Sequence, residues 1–137
     1  MQFSIRMAQP EDSSEAVRVV RAVYDEYGFT WDSADYHADL YDLQSHYLDH
    51  GCPFFIAELP DGGIVGTAAL DIFPALPGVV GTLQEIDGRI RIAGADCSME
   101  RLYVDPAARR LGIGRALVEH LIKSGVENGC KRMEIWS

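Results

Sequence analysis

Hydrophobic positions alternate with polar ones at the start of the chain and then recur at helical spacing, which predicts a strand followed by a helix. Residues 2–7 place Phe3 and Ile5 on one face, the period-two pattern of a half-buried strand. Pro10 suits the first turn of a helix, and Gly28 is placed to end it. The apolar stripe of this helix is Ala16, Val19, Val20, Val23 and Tyr27.

A second helix is predicted from about Ala34 to Gly51. Its apolar stripe is Tyr36, Leu40, Leu43 and Tyr47. The same helix would stack Asp42, His46 and His50 on one side, and two histidines at this spacing can ligate zinc. The glutamate of the zincin motif is absent and no third ligand beyond Asp42 lies nearby, so we expect no metal site.

Two pairs of short apolar strands follow, each joined by a turn sequence. The predicted strands cover residues 53–58, 64–73, 82–86 and 89–93. Pro60-Asp61-Gly62-Gly63 and Asp87-Gly88 supply the turns. Gly66 either lets another element come close or marks a bulge. The second hairpin is an extra two-stranded arm or an extension of neighbouring strands. We expect it near one end of the sheet, where it would shape substrate access or a homodimer contact.

The last third of the chain predicts a strand, a glycine loop, a helix and a final strand. The strand at residues 97–104 leads through Asp105-Pro106 into a basic loop at 109–114, and the helix runs to about Asn128. Its inward positions are Ile113, Ala116, Leu117, Leu121 and Gly125, with His120 on the same stripe as a packed histidine. Residues 131–136 form the last predicted strand.

The glycine loop has the chemistry of a phosphate site. Gly112 and Gly114 expose successive backbone N–H groups, and the helix that follows adds the positive end of its dipole. The loop lacks the Gly-Lys-Ser/Thr of a P-loop, and it lacks the Gly-x-Gly-x-x-Gly of a dinucleotide site.

Composition narrows the class of protein. With 137 residues, 47% of them apolar, we expect a single domain over residues 1–137. A net charge of −9 argues against a nucleic-acid partner, and neither a membrane span nor a signal segment is apparent, so we expect a cytoplasmic protein. Cys52, Cys97 and Cys130 are odd in number and widely spaced, which favours reduced, buried thiols.

The motif Arg109-x-x-Gly112-x-Gly114, set in "RLYVDPAARRLGIGRALVEHLI", resembles the acetyl-CoA motif of the GNAT superfamily of N-acetyltransferases. The resemblance implies an α/β (α+β) fold with a mixed, mostly antiparallel sheet flanked by helices on both faces. The family's domain normally continues with a further helix and two strands, and we expect this chain to lack them. A truncation, an incomplete gene product or a partner that supplies the strands would each explain that difference.

The resemblance also implies where acetyl-CoA binds as co-substrate. The pyrophosphate would lie against the amides of residues 110–116, and the pantetheine arm would run beside residues 102–104 where the sheet opens after Val104. The implied cofactor-binding residues are Leu102, Tyr103, Val104, Arg109, Arg110, Leu111, Gly112, Ile113, Gly114, Arg115 and Ala116.

Glu100 is the candidate catalytic base, since an attacking amine must lose a proton. Strand alternation would put it on the same face as Ser98 and Leu102, with Tyr103 packed on the opposite face. Many family members carry their glutamate at the position of Ser98. A cross-strand arginine partner for Glu100, an ordered water chain or a neutral substrate are the alternatives. No serine or cysteine has a nucleophile signature, so direct transfer is expected.

We therefore expect an N-acetyltransferase that moves an acetyl group from acetyl-CoA to a primary amine, either a small molecule or a peptide. The alternatives are a non-catalytic acyl-CoA sensor and a fragment of a longer acetyltransferase. In the resembling family the two N-terminal helices border the acceptor site, so their acidic and aromatic residues would attract an amine, unless they only form a solvated face. The acidic residues are Asp25, Glu26, Asp32, Asp35, Asp39, Asp42 and Asp49.

Overall fold

The elements follow one another in the order that the sequence predicts: a strand, a helical segment, five strands, a helix and a final strand. The structure is a computed structural model that describes residues 2–136. Its strands are β1 (Ser4–Met7), β2 (Phe54–Glu58), β3 (Ile64–Ile72), β4 (Leu83–Ile86), β5 (Arg89–Ile92), β6 (Cys97–Val104) and β7 (Met133–Glu134). Its α-helices are α1 (Ser13–Tyr27), α2 (Leu43–His46) and α3 (Ile113–Glu127). Short 3₁₀ turns cover Pro10–Asp12, Ala38–Tyr41, Leu48–His50 and Pro106–Ala108.

The main sheet has the strand order β1-β2-β3-β6-β7, and β6–β7 is its parallel pair. Helices cover both faces, so the predicted mixed and mostly antiparallel fold is confirmed. On one face α1 buries Ala16, Val19 and Val20 in a cluster with Phe54 and Ile56 of β2. The other face carries α3, which buries its own apolar stripe of Ile113, Leu117 and Leu121 against the sheet.

Gly66 of β3 sets how closely α3 approaches the sheet. A Cβ at this position would lie 3.0 Å from side-chain atoms of both Ile113 and Leu117. Any larger side chain would therefore push the helix outward. Both predicted roles of Gly66 are observed: α3 comes close at this position, and the register of the β2–β3 ladder shifts beside it, since Ala57 pairs with Gly66 and Glu58 with Ile64.

The segment between α1 and β2 is not the continuous helix predicted over residues 34–51. The backbone of Asp42 is extended (φ −149°, ψ 79°), and its side chain accepts a hydrogen bond of 3.1 Å from Ser45 N. Asp42 thus acts as an N-cap, which stops one turn and starts the next. Tyr36 is 60% exposed and leaves the predicted stripe, while Leu40, Leu43 and Tyr47 are buried. The helical stacking of residues 42, 46 and 50 does not form.

The second hairpin forms its own two-stranded sheet, because β4 and β5 pair with each other and not with the main sheet. The predicted extra arm is therefore the correct alternative. One buried carboxylate ties it to the main sheet. Glu134 of β7 accepts hydrogen bonds from Arg91 Nε at 2.6 Å and from Ile92 N at 3.2 Å.

Two C-terminal predictions need correction. The final strand is confined to Met133–Glu134, because the N–H groups of Lys131 and Arg132 donate to the Asp96 carboxylate instead of to a strand. His120 is exposed rather than packed in the core. Its ring meets Phe55 edge-on with centroids 5.8 Å apart.

Within residues 2–136, no helix is both long and apolar enough to cross a bilayer.

Candidate active site

A bulge at Arg101 bends β6 in the middle of the candidate site. Thr67 pairs with Tyr103 and Ala69 pairs with Glu100, so two residues of β6 oppose a single residue of β3. Arg101 takes a φ of 53°, and its carbonyl accepts a 2.7 Å hydrogen bond from Thr67 Oγ1. This bond satisfies a carbonyl that the ladder would otherwise leave unpaired.

The bulge reverses the side-chain alternation that the sequence predicts for this strand. Ser98 and Glu100 share a face as expected, and they are hydrogen-bonded to each other. Beyond the bulge Leu102 packs with the α3 cluster, whereas Tyr103 joins the α1 cluster. Tyr103 therefore lies on the face of Glu100 and Leu102 on the opposite one, which corrects the predicted arrangement. The bulged residue is an arginine, so no glycine marks the irregularity in the sequence.

The sheet opens along β6 and leaves part of its edge free. Strand β7 pairs only with Cys97 and Ser98. Over residues 99–104, about 20 Å of strand, β6 has a strand partner on its β3 side alone within the described chain. The opening was predicted after Val104, and it starts after Ser98 because β7 is so short. An extended chain with amide groups can pair with this free edge.

The glycine loop at the end of β6 is open. Gly112 is exposed with a φ of 81°, and a Cβ on it would meet no atom within 4 Å. The N–H groups of residues 110–115 donate to no backbone acceptor within residues 2–136. Ala116 differs from the other predicted amides, because its N–H donates to Gly112 O at 3.1 Å as the first bond of α3. The loop thus presents a set of free amides at the positive end of the helix dipole.

The two arginines of the loop have different surroundings. Both Nη atoms of Arg109 bind the carboxylate of Glu26, at 2.6 and 2.5 Å, and this contact raises the pKa of Arg109. Arg110 takes a φ of 67° and forms no ion pair in the described part of the chain. Arg110 is therefore the uncompensated cation of the loop, while the charge of Arg109 is balanced by the last turn of α1.

A cleft of about 890 Å³ lies along the open edge of β6. This volume is within the range of small-molecule sites. Its walls come from the segment after α1, from β3, from the arm and from the C-terminal residues. The lining residues are Tyr36, Asp39, His46, Tyr47, Asp71, Arg89, Met99, Glu100, Arg101, Leu102, Tyr103, Ile135 and Trp136. Sequence reasoning missed Asp71 of β3, Arg89 of β5 and Trp136, which follows β7.

Asp39 and Arg101 form an ion pair in the wall of this cleft. The Arg101 guanidinium donates to the two carboxylate oxygens at 3.1 and 2.7 Å, and Tyr47 OH donates a short hydrogen bond to the same carboxylate. Burial raises the pKa of Asp39, but the hydrogen bonds from Arg101 and Tyr47 outweigh it and leave the pKa below its ordinary value. Asp39 pairs with Arg101 and Glu26 pairs with Arg109 inside the protein. Both carboxylates belong to the acidic group predicted to attract an amine, but neither is free to do so.

A buried histidine supports Tyr36 in the wall of the cleft. His37 is 1% exposed and stacks on Trp31 with ring centroids 3.9 Å apart, while Tyr24 and Tyr36 meet its ring edge-on. Its Nδ1 accepts a 3.1 Å hydrogen bond from Asp32 N. Burial, aided by the nearby Arg101 charge, lowers the pKa of His37. The ring is therefore neutral and serves as an aromatic packing element.

Glu100 faces the cleft with one of its oxygens engaged. Ser98 Oγ lies 3.0 Å from Glu100 Oε1. The predicted arginine partner of Glu100 is not observed, because Arg101 binds Asp39 instead. Glu100 Oε2 has no hydrogen-bond partner within residues 2–136, so it is available to a ligand.

Asp96, Cys97 and Cys130 bring three potential metal-ligating atoms within 4.8 Å of one another. The Asp96 carboxylate already accepts the backbone N–H groups of Lys131 and Arg132. Burial, together with the nearby Cys130, raises the pKa of Cys97 to about 12, which keeps the thiol protonated. These contacts account for the three groups as part of the β6–β7 junction.

Several solved structures share this fold. A GNAT-family acetyltransferase from Staphylococcus aureus Mu50 is 19% identical with a TM-score of 0.77, over 99% of this chain and 74% of that one. A predicted acetyltransferase from Clostridium acetobutylicum, solved with acetyl-CoA, is 19% identical with a TM-score of 0.71, over 99% and 81%. Glucosamine-6-phosphate N-acetyltransferase from Arabidopsis thaliana is 15% identical with a TM-score of 0.65, over 100% and 83%.

No curated protein matches the sequence. The family model described as "Acetyltransferase (GNAT) family" matches residues 18–137, which include most of α1, the bulged strand, the glycine loop and α3. The chain therefore belongs to the GNAT family of acetyltransferases.

Proposed function

We propose that the protein transfers an acetyl group from acetyl-CoA to a primary amine. One observation supports the proposal: the free edge of β6 runs along a cleft and leads to an open loop with free backbone N–H groups. A donor that spans these features needs a diphosphate, an extended amide-containing arm and a reactive end. Acetyl-CoA has all three, and when bound it supplies the activated acetyl group.

The chain's own groups divide the work of binding. The N–H groups of residues 110–115 would hold the diphosphate, with Arg110 adding positive charge. The backbone of Leu102, Tyr103 and Val104 would pair with the amides of the pantetheine arm. Gly112 keeps the loop accessible, because its position has open space where a side chain would project. The Ala116 N–H is excluded from this set by its helix bond.

Glu100 would act as the base. Its free Oε2 can accept a proton from an ammonium in the cleft, while Ser98 holds Oε1 in place. The neutral amine would then attack the thioester carbon, and the carbon–sulfur bond breaks as the carbon–nitrogen bond forms. The nitrogen loses its second proton as the amide forms, the thiolate gains a proton from solvent to become the CoA thiol, and Glu100 releases its proton to solvent. Tyr103 packs against the α1 cluster and is assigned no acid role.

Release of free CoA thiol, measured against a panel of primary amines, tests the proposal. An enzyme releases thiol only when a suitable amine is present, and mass spectrometry finds the amine heavier by one acetyl group. A sensor would bind acetyl-CoA in calorimetry and show no turnover with any amine. That second result would replace transfer with binding as the function of the cleft.

A further inference from the structure

Internal ion pairs account for some of the charged groups around the cleft. Asp39 and Arg101 neutralise each other, with side chains only 18% and 11% exposed. On the arm, Arg91 is held by Glu134, whose side chain is fully buried, and its guanidinium also lies 4.8 Å from the centroid of the Phe73 ring. These groups are satisfied by the protein, so they are not available to recognise a substrate.

Two carboxylates remain on the floor of the cleft. Asp71 of β3 lies directly opposite Ser98 in the β3–β6 ladder, and Ser98 is hydrogen-bonded to Glu100. The three side chains therefore lie side by side on one face of the sheet. Asp71 is exposed, and among residues 2–136 its side chain accepts one hydrogen bond, a weak one from Cys52 Sγ at 3.8 Å. Together the two carboxylates favour a positively charged group.

One guanidinium remains on the opposite wall. Arg89 lies two positions before Arg91 on β5 and so shares its face of the arm. It lines the cleft, is exposed and forms no ion pair within residues 2–136. The glycine loop lies beyond Val104, whereas Arg89 lines the cleft, whose lining does not include the loop. Arg89 is therefore placed to pair with an anionic group of a molecule bound in the cleft.

We infer that the acceptor amine also carries a carboxylate, as an amino acid does. Its ammonium lies between Asp71 and Glu100, and its carboxylate pairs with Arg89. Each of the three unpaired side chains, Asp71, Glu100 and Arg89, then has a partner of opposite charge on the acceptor. A diamine would leave Arg89 unpaired and would place a second cation beside it. This inference rests on the proposed function, because it names the acceptor of that same reaction.

Matched acceptors test the inference with the full chain. The value of kcat/KM is measured for amino acids and for the amines that lack only the carboxylate, such as alanine against ethylamine and lysine against cadaverine. We expect the amino acids to be preferred. Arg89→Gln should lower kcat/KM for the preferred amino acid about 10- to 100-fold, the loss expected for a charged hydrogen-bond partner. The same variant should not lower the value for the decarboxylated amine.

Arg89→Lys keeps the positive charge and should recover part of the lost kcat/KM. Lys123→Gln removes a positive charge from the exposed side of α3 and is the control for charge removal. Equal rates for amino acids and decarboxylated amines, or an Arg89→Gln variant with unchanged kcat/KM for amino acids, would overturn the inference. Absence of thiol release with every amine of both sets would refute the proposed function itself.

Discussion

The Ser98 hydroxyl donates a hydrogen bond of 3.0 Å to Oε1 of Glu100, two positions further along the same strand. Ser98 is 1% exposed, so its own position is fixed by packing. The contact restricts the rotamer of Glu100 and leaves Oε2 without a hydrogen-bond partner among residues 2–136. Ser98 is therefore a positioning residue for the proposed base.

Glu100→Gln should lower kcat about 100-fold, within the usual contribution of a general base. It should also remove the limb of the pH–rate profile that reports deprotonation of the base, while KM for acetyl-CoA stays unchanged. Ser98→Ala is the companion variant, and it should lower kcat less and keep that limb. A Glu100→Gln enzyme with the rate and pH profile of the parent would remove Glu100 from the mechanism.

Asp39→Asn should destabilise the fold, because it leaves the Arg101 guanidinium with a neutral partner in a poorly solvated site. The expected loss is about 3 kcal/mol in the free energy of unfolding, measured by urea denaturation. Glu119→Gln, which breaks the exposed Arg115–Glu119 pair, is the matched control and should cost less than about 0.5 kcal/mol. Equal losses in the two variants would contradict the role given to Asp39.

Stability should fall between pH 7 and pH 5 because of His37. Its pKa in the folded chain is below the ordinary 6.5, so the unfolded chain binds the proton more readily. The contribution of the neutral ring is present above pH 6.5 and is lost as the pH falls below that value. Urea denaturation across this range measures the slope. His37→Phe keeps an aromatic ring on Trp31 and should flatten the slope of stability against pH. An unchanged slope in this variant would show that His37 is not the cause of the pH dependence.

Glu134→Gln should loosen the arm, since the Arg91 guanidinium and the Ile92 N–H both depend on this carboxylate. Burial raises the pKa of Glu134, but hydrogen bonds from Arg91 and Ile92 outweigh burial and leave the pKa below its ordinary value. The group is therefore charged at neutral pH. Limited proteolysis should then cut near the exposed Asp87-Gly88 turn faster than in the parent. Glu85→Gln, an exposed change on the same arm, should leave the cleavage rate unaltered. Equal cleavage rates for all three proteins would show that Glu134 does not anchor the arm.

Local patterns in the sequence were sufficient to predict most of the fold. Alternation and turn residues define β2, β3 and the arm, and Gly28 ends α1 in the left-handed conformation expected of a helix stop. The same reasoning failed at Asp42. Helical spacing of apolar residues continued through that position, but an aspartate that caps the next turn was a stronger local signal.

Only the part of the site that lies within one continuous segment of the sequence could be predicted. The glycine loop is one run of residues with its own chemistry, so its place at the start of α3 followed from spacing. The bulge at Arg101 could not be predicted, because it depends on the pairing of β6 with β3 and on the Thr67 hydroxyl. Asp71 and Arg89 reach the cleft from separate elements, and only the tertiary arrangement brings them together.

Calorimetric titration of a Gly112→Val variant with CoA tests the central claim most directly, namely that the turn at Gly112 binds the diphosphate. Gly129 provides the matched control, since it too has a positive φ (78°) and open space around its Cβ position, but it follows α3 at the far end. Both valine variants should lose similar stability from backbone strain. We predict that Gly112→Val loses CoA binding and Gly129→Val retains it. Undiminished binding by a folded Gly112→Val protein would contradict the account.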